Sequence, residues 1–151
     1  RAEVEENPED PDAIARLGSL YVQNNQPGEA VEVLERGREV APDDEGIALL
    51  LGQALYRQAM SAPEEERAGL YRRAGDAFAA ATEIEPENEN AYLLAGDAYD
   101  QAGEPGRAIQ YWNGYLELEP DGEQAQAVEQ RISELLAGGG EDAGGEENAR
   151  P

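Results

Sequence analysis

The sequence predicts an all-α chain, and three observations carry that prediction. Apolar and small residues recur at helical spacing: Ile14, Leu17, Gly18 and Tyr21 fall at i, i+3, i+4 and i+7, and so do Tyr92, Ala95, Gly96 and Tyr99. No run alternates with period two beside a hairpin signal, so nothing in the chain asks for strands. The chain also repeats itself: PGEAVEVLERGREVAP from Pro27 is echoed by PGRAIQYWNGYLELEP from Pro105, 78 residues later.

The elements follow from the breaks at residues 24–27, 41–44, 61–63, 86–88, 103–105 and 120–122. These leave helices in pairs joined by short turns. Pro27 and Pro105 sit in the first turn of a helix, where the missing N–H costs nothing. Asn25 and Gly103 precede them and suit the left-handed conformation that ends a helix. Pro42, Pro86 and Pro120 stop the second helix of each pair. Residues 1–10 read as a linker or as the last turn of an upstream helix stopped by Pro8. The first residue is Arg1, so a fragment or a mature form is expected.

Aligning the proline stops gives the period. Segments 11–44 and 89–122 are each 34 residues long, whereas 45–88 has 44. The ten extra residues lie between Tyr56 and Ala74. Helical periodicity stops at Ser61, restarts after Pro63 and runs on through Leu70, Tyr71, Ala74 and Phe78. The insertion is therefore expected mainly to lengthen the second helix at its start, by about two turns. Ser61, Pro63 and Glu64 supply the start signal as a capping box. Leu70 and Tyr71 either pack on the end of the preceding helix or form a second contact surface for a partner.

Beyond the third segment, 123–137 reads as one more helix, with a stripe of Ala125, Val128, Ile132, Leu135 and Leu136. Gly138 is expected to end it. Residues 138–151, GGGEDAGGEENARP, are glycine-rich and acidic, bury too little to order themselves, and are expected to be disordered.

Composition removes whole classes of chemistry. The 151 residues include no cysteine and no histidine, so there is no disulfide framework, no thiolate nucleophile and no imidazole base or ligand. The formal charge is −23, with 34 acidic residues against 11 basic ones, every one an arginine. Such a surface repels nucleic acid and anionic lipid and favours basic partners. The absence of lysine fits a salt-adapted source or a GC-rich genome equally well. No apolar run approaches the length of a membrane span, so direct membrane insertion is not expected. Ser19, Ser61 and Ser133 have no histidine to activate them, and the carboxylates at 64–66 read as a solvated helix start. No enzymatic activity, cofactor or metal is expected.

The three segments resemble tetratricopeptide repeats, whose pattern is a large residue, Leu-Gly and Tyr, and later Ala, a large residue and Pro. The first carries Ile14, Leu17, Gly18, Tyr21, Ala30, Leu34 and Pro42. The second carries Leu51, Gly52, Leu55, Ala74, Phe78, Ala81 and Pro86. The third carries Tyr92, Ala95, Gly96, Tyr99, Ala108, Trp112 and Pro120. The resemblance implies a right-handed superhelical solenoid over 11–137: three helix pairs (11–44, 45–88 with the insertion, 89–122) and a capping helix at 123–137 over the open end.

It also implies a concave groove lined by the first helix of each pair. From helical geometry, the face opposite each core stripe is Asp12, Ala15, Ser19 and Val22; then Leu49, Gln53 and Tyr56; then Asn90, Leu93, Asp97 and Asp100. Arg16, Leu50 and Leu94 lie at its edge. Leucines and a tyrosine that the core does not call for point to a covered face. One subclass of the family grips C-terminal carboxylates of chaperones with lysine, arginine and asparagine. The matching positions here hold Ala15, Ser19, Leu50, Asn90 and Leu94, so that clamp is absent. The expected function is a non-enzymatic scaffold that holds a protein segment or peptide with apolar anchors and basic flanks. The alternative is a self-assembly or spacer module of a larger protein. Compartment is open between cytoplasm and periplasm, in a bacterial source.

Overall fold

A computed structural model describes residues 9–148, with side chains described through residue 138. Among the described residues every regular element is a helix: α1 (Pro11–Gln23), α2 (Pro27–Val40), α3 (Glu45–Ser61), α4 (Glu64–Ile84), α5 (Glu89–Gln101), α6 (Pro105–Leu118) and α7 (Ala125–Asn148). Each helix packs on its neighbour in sequence, and α1 also reaches α3. The result is a stack of three helix pairs closed by α7. A continuous core runs through it from Val22 to Val128.

Local chemistry sets the helix starts. Asp10, Asp44 and Asn88 occupy equivalent places before α1, α3 and α5. Each side-chain oxygen accepts a backbone N–H of the first turn, from Asp12 at 3.0 Å, Ile47 at 3.1 Å and Asn90 at 3.0 Å. Pro27 and Pro105 open α2 and α6 as expected. The turns before them hold Asn25 at φ 58° and Gly103 at φ 77°, the left-handed residues the sequence called for. Within each pair, a glycine lets the helices close: Gly18 faces Leu34, Gly52 faces Phe78 and Gly96 faces Trp112. Arg73 ties α4 to Glu35 of α2 at 2.6 Å, and Arg72 ties it to Glu104 at 2.7 Å.

The insertion lengthens both helices of the second pair. Helix α3 has 17 residues against 13 in α1 and α5, and α4 has 21 against 14 in α2 and α6. The turn between them is one residue shorter than its counterparts, which accounts for the ten. The expected two turns on α4 are therefore joined by an extra turn on α3. That turn absorbs Ser61, so no capping box forms. The Ser61 hydroxyl instead points back to the carbonyls of Arg57 and Gln58, at 3.5 and 3.4 Å, and Pro63 precedes α4 with no side-chain cap.

Two further expectations change. Helix α7 starts at Ala125, because Gln124 N–H donates to the Tyr115 hydroxyl at 3.2 Å and holds residues 121–124 in a turn. It runs to Asn148, past the expected stop at Gly138, so residues 138–148 of the tail expected to be disordered are helical. Glycine lowers helix propensity by about 1 kcal/mol but does not forbid the conformation. The expectation for 1–10 lies outside the described residues except at Glu9 and Asp10, and that for 149–151 lies outside them entirely.

Candidate functional site

The expected open face of α1, α3 and α5 divides into several environments. Asp12 and Asn90 are exposed in first turns, and Ala15 and Ser19 are half-buried. The Ser19 hydroxyl accepts from the Gln23 side chain at 3.1 Å. Val22 is 8% exposed and belongs to the core, not to an open face, because α1 turns it toward the second pair. Leu49 and Leu93 are half-buried and packed against the core, so their apolar character is partly spent within the stack.

Gln53, Tyr56 and Asp97 are brought together around a groove of about 800 Å³. The sequence reading missed several of its other walls. Asn25 of the first turn, Pro27 of α2, Arg57, Met60 and Ser61 of α3, and Phe78 of α4 all reach it, together with Leu94 from the expected edge. Met60 is 62% exposed. A signal for it existed: Gln53, Tyr56 and Met60 follow i, i+3 and i+7 on one helix face, and the expected helix already reached Met60.

The insertion also contributes through α4. Tyr71 is buried and meets Tyr56 edge-on, with ring centroids 4.9 Å apart and planes at 71°. Leu70 is half-buried against the core. Tyr71 therefore backs the groove wall from behind, and its burial leaves it little surface to offer a partner, whereas Leu70 keeps part of its surface open.

The two carboxylates expected on this face of α5 are unevenly matched, and only Asp97 lines the groove. Asp100 is gripped by Arg131 of α7, Nε to Oδ2 at 2.9 Å and Nη2 to Oδ1 at 3.0 Å, so it is engaged by the cap. Asp97 receives the Trp112 indole N–H at 3.1 Å. Burial nonetheless pushes its carboxyl up to about 6; the indole bond opposes that shift and the Asp100 charge adds to it. Burial also raises the Tyr56 hydroxyl, with Tyr71, Asp97 and Asp100 adding to the effect. Among the described residues no group of three acidic side chains could hold a metal ion. An apolar and aromatic wall beside a carboxylate can hold a chain segment by burial and hydrogen bonding.

No helix among the described residues is long and apolar enough to cross a membrane. No curated protein matches the chain. Solved structures do, at identities that speak to fold. The crystal structure of MamA is 22% identical with a TM-score of 0.71, covering 92% of this chain and 74% of that one. The first tetratricopeptide domain of human RPAP3 is 20% identical with a TM-score of 0.68, covering 87% and 96%. The Yersinia enterocolitica type III secretion chaperone SycD, in complex with a peptide of the translocator YopD, is 20% identical with a TM-score of 0.61, covering 84% and 89%. The family model for the tetratricopeptide repeat matches residues 2–59 and 67–132. With most of its length inside that model and its helix pairs stacked as described, the chain belongs to the tetratricopeptide repeat family, a protein-interaction fold.

Proposed function

We propose that this protein is an interaction scaffold that takes a peptide or helix with apolar anchors and basic flanks into the groove between α3 and α5. The observation that carries the reading is the groove itself: about 800 Å³, walled by Tyr56, Met60, Phe78 and Leu94 and open enough to leave Met60 62% exposed. A buried apolar anchor there is worth roughly 1.5–3 kcal/mol. SycD with its YopD peptide supports a peptide in such a fold. The peptide SRMEEVD, bound by the first repeat domain of Spaghetti (RPAP3), is acidic and is a poor guide to this ligand. Here it would meet Asp97 and a chain of net charge −23. That charge also disfavours nucleic acid.

A second reading, self-assembly, draws on Leu20 and Leu136, which are 50% and 62% exposed on the first and last helices of the stack. One experiment separates the two. Peptides selected from a random displayed library are mapped by amide chemical shifts on the labelled chain, alongside its sedimentation at micromolar concentration. Shifts at Tyr56, Met60 and Leu94 in a monomer are expected. Shifts confined elsewhere, or a dimer lost on Leu136→Asp, would instead make it an assembly module.

A further inference from the structure

One charged group in the groove forms no ion pair among the described residues. Asp97 is half-buried on α5 and accepts only the Trp112 indole N–H, at 3.1 Å from α6. Its helix neighbour Asp100 holds Arg131, which also reaches Glu134 at 3.2 Å within α7. On the α3 wall stand Tyr56 and Arg57, and on the α4 side Phe78. Arg57 is exposed, where water screens its charge. Among the described residues no arginine forms an ion pair with Asp97. A carboxylate drawn out of water without a cation is held at a cost, and a cation entering with a ligand offsets it.

We propose that the groove selects its ligand by a basic side chain: an arginine or lysine of the bound peptide sets its cationic head on Asp97 and lays its methylene stem along Tyr56, Leu94 and Met60. This rests on the groove reading and names its specificity. The chemistry of the lining supports it. Long basic side chains pack an apolar stem while their head seeks charge, and an aromatic face beside the carboxylate adds attraction for a cation. The extra turn of α3 supplies Met60 and Ser61, so the insertion closes the groove at the end where that stem lies. The net charge of −23 draws basic segments toward it from a distance.

Trp112 is the chain's one tryptophan, so its fluorescence reports directly on Asp97. The probes are end-capped peptides of the form Gly-Leu-Xaa-Leu-Gly-Ser, with Xaa arginine, lysine, norleucine or glutamate. Near neutral pH, the arginine and lysine peptides should bind about tenfold more tightly than the norleucine peptide, and the glutamate peptide more weakly than any. The advantage should shrink toward about pH 5 as Asp97 protonates, and in high salt. Asp97→Asn keeps an acceptor for the indole N–H and should abolish the advantage with helicity unchanged. The salt and pH dependence in the unaltered chain test the same point without a variant. Equal binding of the norleucine and arginine peptides would overturn the cation and leave the groove reading standing. A preference that survives in Asp97→Asn would overturn the role of Asp97. Failure of every peptide to bind would overturn both. A dimer that the arginine peptide dissociates would make a second copy the occupant and overturn the choice of a separate peptide.

Discussion

Arg131 on the last helix holds Asp100 on α5 through two parallel hydrogen bonds, at 2.9 and 3.0 Å, across 31 residues of sequence. A planar guanidinium meeting a carboxylate at two points fixes direction as well as distance. The pair joins the cap to a first helix, not only to α6, on which α7 packs. It also commits Arg131 to Asp100, which leaves the groove-lining Asp97 without that cation.

Replacing Arg131 by alanine should therefore loosen the cap. The arginine side chain is 45% exposed, so water weakens the pair, while Asp100 at 15% is left without its cation. A loss of about 1 kcal/mol is expected. Thermal unfolding followed by circular dichroism should show a fall of roughly 2–4 °C. An unchanged midpoint would mean that burial of Ala125 and Val128 alone seats α7.

The carboxyl of Asp97 gives a pH dependence with a defined sign. Its value in the folded chain is about 6, above the ordinary 3.8, so the native state binds more protons than the unfolded state between those values. Stability from this group is complete below about pH 4 and falls as pH rises through 6, by on the order of 2 kcal/mol. Asp97→Asn should melt higher than the unaltered chain near neutral pH and alike below about pH 4. Trp112 emission should titrate near pH 6 and cease to do so in the variant. A variant that melts lower at neutral pH would show that the charge is compensated.

Two glycine substitutions should have opposite signs. A Cβ at Gly52 would lie 2.5 Å from the Phe78 ring, so Gly52→Ala overpacks the second pair and should cost about 1–3 kcal/mol. Gly69 lies inside α4 with nothing within 4 Å of its would-be Cβ. Gly69→Ala should stabilise by about 0.5–1 kcal/mol through helix propensity. Urea unfolding midpoints of the two variants decide the point.

Tyr71 tests whether the insertion belongs to the core. It is buried and edge-on to Tyr56. Tyr71→Ala should destabilise by about 3 kcal/mol and weaken peptide binding by loosening the wall behind Tyr56. Equilibrium denaturation and peptide titration read the two effects separately. A neutral substitution would return Tyr71 to the surface role first considered for it.

What the sequence by itself determined is local. The left-handed Asn25 and Gly103, the prolines opening α2 and α6, and the i, i+3, i+4 stripes of each pair act within a few residues, so their outcome can be read along the chain. The three-pair stack also followed, because a repeat that cannot bury its own face must bury it on the next. Gln53, Tyr56 and Asp97 were legible as one face because α3 and α5 are regular. Tertiary structure decided the rest. Val22 and Tyr71 have the same apolar character whether they face a partner or a neighbouring helix, and only the packing of the next pair told which. Ser61 carried a sound cap signal, but α3 outran it once it had α4 to lie against. The link from Asp100 to Arg131 joins residues that no local rule relates, because a charge pair is set by where two helices end up in space, and that follows from the packing of everything between them.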